Sequence, residues 1–151
     1  MKNHQIIFTK IKKLLLNQFG KDIVMHEEGA HLEISETGIW ISMDEDDLTI
    51  GYGMNHRHYH HEYDDITEAI EEFFNLLTGK TRITTYYKGE YQYKNKVEVE
   101  NSIGEYNKLS TSMTWLFPYW KKTNEKIEII ENLLSYNEIE REIIEIKDCV
   151  E

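Results

Sequence analysis

The pattern of apolar residues predicts an α+β fold in which helices pack on a single antiparallel sheet of about six or seven strands. Three observations carry that prediction. Four segments repeat apolar side chains at three- and four-residue steps, several others alternate apolar and polar residues, and the links between the first alternating segments are two to four residues long. Links that short close hairpins and leave no room for the crossover that parallel strands need. At 151 residues and 40% hydrophobic content the chain can bury one core, so residues 1–151 are read as a single domain.

Residues 4–18 are predicted as the first helix. Ile7, Phe8, Ile11, Leu14 and Leu15 share a side, Lys10, Lys13 and Asn17 lie opposite, and Gly20 ends the run. Period two then takes over in residues 23–27, 30–36, 39–44 and from 48 onward, with Leu32, Ile34, Ile39, Ile41, Met43, Leu48, Ile50 and Tyr52 on the buried side. The last of these strands is expected to run on from Leu48 to Tyr59. Gly51 and Gly53 lack the third glycine and the following helix of a phosphate-binding loop, and read instead as a bulge or a close backbone approach.

Asp65 opens a central helix, with Glu68 three residues on, an apolar stripe of Ile66, Ile70, Phe73, Phe74 and Leu77, and Gly79 as the stop. Alternation resumes through Ile83, Thr85 and Tyr87 and, after Lys88 and Gly89, through Tyr91, Tyr93, Val97 and Val99. Met113, Trp115 and Phe117 suggest a further strand, broken by Pro118. From about residue 124 the chain reads as helical. Ile127, Ile130 and Leu134 form one stripe and Ile139, Ile143, Ile146 and Val150 another, with Asn137 and Glu140 as a cap between them. The expected helices are therefore N-terminal, central and two C-terminal.

Charge is the most informative functional signal. The formal net charge of −11 is unevenly spread: residues 22–79 carry fifteen Asp and Glu and only Arg57, whereas residues 1–21 carry five Lys and no acid. Such a block repels phosphates, so no nucleic-acid partner is expected, and it attracts a basic protein. Residues 44–47 and 62–72 are the expected contact surface, through Asp44, Glu45, Asp46, Asp47, Glu62, Asp64, Asp65, Glu68, Glu71 and Glu72. Tyr86 and Trp120 are the expected aromatic anchors, since both stand outside the predicted core pattern. No apolar run approaches the roughly 20 residues that cross a bilayer, so no membrane contact is expected. The single cysteine, Cys149, excludes a disulfide framework within the chain, and a cytoplasmic location is expected.

The rival chemistry lies in His56, His58 and His60. On one extended strand these imidazoles would stand about 7 Å apart on one face, the one that also carries Leu48, Ile50 and Tyr52, and could hold zinc. No HExxH helix or GxSxG elbow is present, so no enzyme activity is expected, nor any cofactor unless those histidines take zinc. A third reading is a structural domain that self-associates through an exposed stripe on the terminal helices.

Taken together, a small acidic α+β domain poor in Cys and Pro and rich in Lys, Asn, Ile, Glu and Tyr resembles the immunity proteins of bacterial polymorphic and contact-dependent toxin systems. The resemblance implies a stoichiometric inhibitor that covers a cationic toxin domain by charge and shape complementarity.

Overall fold

A computed structural model describes residues 2–150. Helix α1 (Asn3–Phe19) leads into a meander of five short strands, β1 (Ile23–His26), β2 (His31–Ile34), β3 (Ile39–Met43), β4 (Asp47–Tyr52) and β5 (Asn55–His60). Helix α2 (Ile66–Thr78) follows, then β6 (Thr81–Lys88), β7 (Tyr91–Glu100), β8 (Tyr106–Met113), β9 (Thr123–Ile130) and α3 (Tyr136–Lys147). The architecture is α+β and every strand pairing is antiparallel.

The expected single sheet is two sheets, ordered β1-β2-β3-β4-β5 and β8-β7-β6-β9. The reason lies in residues 123–130, read above as helix. Ile127, Ile130 and Leu134 fit a helical period, yet Ile127 and Ile129 fit a strand equally well, and β-branched side chains favour the extended form. The segment pairs along β6 from Thr81↔Ile130 to Lys88↔Thr123. It thereby occupies the second edge of β6, while β5 lies against β8 without pairing to it. One of the two expected C-terminal helices is lost, leaving three helices among the described residues.

Two further expectations are corrected. The run from Leu48 to Tyr59 is a hairpin, turned at Gly53 (φ +59°) and Met54, which pairs Tyr52↔Asn55 and Gly51↔His56. The last predicted strand is displaced toward the N-terminus: β8 ends at Met113, and Trp115 and Phe117 lie in the connection to β9. Only Leu109 of β8 is buried, so its apolar signal is faint.

The core begins on α1, where Ile7, Phe8, Ile11, Leu14 and Leu15 are buried against the inner face of the five-stranded sheet, on Leu32, Ile34, Ile39, Ile41, Leu48 and Ile50. Helix α2 buries Ile66, Ala69, Ile70, Phe73, Phe74, Leu76 and Leu77 and packs on β4, β5 and β7, touching both sheets. The α3 stripe of Ile139, Ile143 and Ile146 is buried against α1 and α2 rather than left for a second copy.

Two glycines are required by close approach rather than by backbone angle. A side chain on Gly51 would overlap the Trp40 indole, whose Nε1 donates to the Gly53 carbonyl at 2.8 Å. One on Gly79 would overlap the Glu100 carbonyl where α2 hands over to the second sheet. Gly79→Ala must push backbone against backbone, and is expected to cost about 1–3 kcal/mol by urea denaturation. Gly104→Ala meets open space, so its cost should arise only from its positive φ and be smaller.

Candidate functional site

The β4–β5 hairpin decides where the acids go. Its open end is the pair Asp47↔His60, and the ladder is extended by His61, whose N–H donates to the Asp46 carbonyl at 2.9 Å. Residues 44–47 and 61–65 therefore meet at one corner of the molecule. Asp44 accepts the backbone N–H groups of Asp46 (2.9 Å) and Asp47 (2.7 Å), closing the turn. The bond from Asp47 chiefly holds the Asp44 carboxyl below the usual aspartate range, against a smaller opposing effect of burial. Asp46 takes the Lys2 ammonium at 3.1 Å, which lowers its carboxyl as well. Asp64 accepts the His60 N–H at 2.8 Å, and Asp65 caps α2 by accepting the Thr67 N–H at 2.9 Å. Glu45 and Glu62 are exposed between them. Tyr63, 81% exposed, stacks on His60 with ring centroids 4.5 Å apart.

The remaining predicted acids continue along α2. Glu68 is exposed, and Glu71 pairs with Lys147 at 3.1 Å. Glu72 is tucked inward, where its Oε2 accepts the Tyr59 hydroxyl and faces Arg57 at 3.4 Å. Burial pushes the Glu72 carboxyl above the usual glutamate range, although Tyr59 and Arg57 both pull it down, and burial beside that carboxylate raises the Tyr59 phenol. These three side chains fasten β5 to α2. Tyr86 and Trp120 lie elsewhere. Tyr86 is half-buried beneath the Lys94 ammonium, 5.0 Å from its ring, and Trp120 belongs to the β8–β9 connection, whose first residue, Thr114, lines a cleft with Met54 at the far end of the hairpin. The six residues of β5 put about 17 Å between that end and the acidic corner.

The hairpin turn also reverses the expected histidine face. Register places His56, His58 and His60 opposite Gly51, Thr49 and Asp47, on the outer surface away from Leu48 and Ile50. His56 and His58 meet edge-on at 4.9 Å, and the Thr49 hydroxyl lies 2.8 Å from His58 Nδ1. His60 instead turns to the acidic corner. There it stacks on His61 at 4.9 Å, and with Asp46 the two offer ligand atoms all within 4.8 Å of one another. Two of the three expected metal ligands are thus not in this cluster, and its other members are Asp46, from the β3–β4 connection, and His61, from the segment that follows β5.

Sequence reasoning also missed the rest of this neighbourhood. His26, His31 and Trp40 extend an aromatic row across the outer face to His56, with centroid spacings of 5.6, 5.1 and 6.0 Å. His4 is fully buried, bonded through Nε2 to the Asp44 carbonyl at 3.0 Å and stacked on His61 at 5.2 Å, while its Nδ1 has no partner. The signal for His4 was present, since it falls three and four residues before Ile7 and Phe8 on the buried stripe of α1. A cleft of about 330 Å³ lies between α2, α3 and the β7–β8 turn, and its charged lining groups Glu71 and Lys147 are paired with each other. No described helix is long and apolar enough to cross a membrane.

The chain matches no protein-family model, no curated protein and no solved structure. Its chemistry therefore has to be read from its own side chains.

A glutamate held above its usual pKa favours the fold while protonated, and that contribution is lost as pH rises through the raised value. Glu72→Gln keeps an acceptor for Tyr59 and removes the desolvated charge. Its melting temperature should equal or exceed that of the parent at neutral pH, with less decline from mildly acidic to neutral pH. Glu72→Ala strands the Tyr59 hydroxyl and should cost about 1–3 kcal/mol.

Proposed function

We propose that this protein is a protein-binding domain that takes a cationic partner on its acidic corner. The observation that carries the reading is the junction of residues 44–47 with 61–65 through the Asp46 and His61 backbones. Two separate runs of carboxylates become one surface, and Lys2 is the only lysine or arginine paired with them among the described residues. Backbone N–H groups hold Asp44 ionised without offsetting its charge, and Asp46 is held ionised by Lys2, the one cation that offsets part of the surface. Tyr63, between Glu62 and Asp64, supplies the large exposed ring with a polar tip that was expected in Tyr86 and Trp120. In such a contact the acids speed encounter and the ring slows release. The resemblance to immunity proteins extends the proposal to a stoichiometric inhibitor, with a basic toxin domain as the partner.

Glu45, Glu62 and Glu68 make no side-chain bond among the described residues, so replacing them with Gln removes charge and leaves the fold intact. A partner captured from the source cells at low salt should be basic and released at high salt. The triple variant should bind that partner with an on-rate about tenfold lower. Equal retention at both salt concentrations, or an unchanged on-rate, refutes the reading.

The Asp46, His60 and His61 cluster favours a second reading, a borderline transition ion such as zinc on two imidazoles and a carboxylate. Two features of the site oppose it. The Lys2 ammonium already sits on Asp46, and His60 Nδ1 accepts the Glu62 N–H at 3.2 Å, so coordination through Nε2 shifts the ring proton and breaks that bond. If zinc binds, Lys2→Ala should tighten it and His61→Ala should abolish it, read by calorimetry on untagged protein. Absence of heat with both parent and Lys2→Ala removes the metal reading.

A further inference from the structure

The connection from β8 to β9 carries, from Thr114 to Lys122, the residues Trp115, Leu116, Phe117, Pro118, Tyr119, Trp120 and Lys121. A run so rich in aromatic side chains would ordinarily fold inward. Here one of them does. Phe117 stacks on Tyr93 at 4.6 Å, and the backbone is tied on both sides of it, by Thr114 N–H to the Tyr93 carbonyl (2.8 Å) and by Gly89 N–H to the Lys122 carbonyl (3.0 Å). Lys121 N–H closes a turn on the Pro118 carbonyl at 3.0 Å. With Phe117 as the peg, the others are turned out: Trp115 is 96% exposed, Leu116 85%, Tyr119 74% and Trp120 72%. Met113 and Met54 are exposed beside them and share a shallow cleft with Tyr93 and Lys94. Single exposed apolar side chains need no explanation, but a contiguous group on a tethered loop marks a contact surface.

The charges around this tip are the reverse of those at the acidic corner. Lys88 reaches the Thr123 hydroxyl, Lys121 lies against Gly89, Lys122 anchors the loop, and Lys94 stands over Tyr86. Glu90, in the β6–β7 turn, and Glu125, opposite Tyr86 on β9, are the acids near them, fewer than the four lysines. We infer that this tip docks peripherally on an anionic phospholipid surface, with Trp115, Leu116, Tyr119 and Trp120 entering the headgroup layer and the four lysines meeting lipid charge. Trp and Tyr favour that layer because one part of each ring system is apolar and another donates hydrogen bonds. Basic side chains add attraction to an anionic leaflet. Side chains exposed to this degree stand out from the loop rather than line a groove, which suits a soft planar partner better than a nucleic-acid strand threaded between stacking platforms. The acidic corner, about 17 Å away along β5, lies beyond the screening length of about 8 Å at physiological salt. It does not cancel the lysines, and its repulsion turns the tip toward the bilayer. The contact requires no spanning helix and is independent of the acidic corner's partner.

Two of the three tryptophans lie in the loop, so intrinsic fluorescence reports on it directly. The full chain is mixed with phosphatidylcholine vesicles, with and without phosphatidylglycerol. A blue shift and co-sedimentation with the phosphatidylglycerol vesicles alone, weakened by salt, are expected. Trp40→Phe should retain binding. The pair Trp115→Ser with Trp120→Ser, and the pair Lys121→Glu with Lys122→Glu, should each lose it by about tenfold or more with unchanged circular dichroism. Failure of the parent to bind, or binding by either double variant as strong as the parent's, overturns the inference. So does preferential binding of single-stranded oligothymidylate, or a blue shift that follows protein concentration without vesicles, which would identify a second copy as the occupant.

Discussion

Two sheets that share no ladder are joined in this molecule by the apolar surface of α2. The helix presents Ile70, Phe73, Phe74 and Leu77 to a core that includes Leu48 and Ile50 on one side and Val97 and Val99 on the other. Its ends are fixed as firmly as its middle. Asp65 satisfies its first turn, the N–H groups of Leu133 and Leu134 both reach the Leu77 carbonyl, and Gly79 lets the chain pass hard against Glu100. Burying so much of one helix removes a large apolar area from water, the main favourable contribution to the fold. Loss of that helix would leave the second sheet without its packing partner and the first sheet covered by α1 alone.

Placing α2 in this way leaves the β4–β5 hairpin as a lever with two unlike ends. One end gathers carboxylates, two imidazoles and Tyr63. The other meets a loop of exposed rings and lysines, and the outer face between them bears the His and Trp row. A protein with net charge −11 thus has a polarity that its total charge conceals. Long-range attraction depends on where charge lies as much as on how much there is.

Regular periodicity made much of the fold legible. The stripes of α1 and α2 and the inward residues of β2, β3 and β4 stand where their spacing put them, because each element turns one strongly apolar face to the core. Legibility failed where burial is slight. Almost all of β9 is exposed and β8 buries only Leu109, so neither imposes a strong period, and the pairing partner decided their form. The Gly53 and Met54 turn was hidden because Met54 continues the alternation of Leu48, Ile50 and Tyr52, and that one reversal moved His56 and His58 to the opposite surface. The acidic segments were visible as composition. Their meeting was not, since it rests on one backbone bond between residues fifteen apart. Tyr63 was overlooked because an aromatic ring within an acidic turn has no periodic pattern around it.

The position of β9 has a consequence of its own. It ends the second sheet, so along its free side a row of peptide groups has no strand to receive them. Such a rim is a template on which further chains can lengthen the sheet. Here the template is interrupted by Glu125, Lys126 and Glu128, which an incoming strand would have to accommodate. The same isoleucines that misdirected the secondary-structure reading are therefore kept from seeding fibrils by the ionised groups set among them.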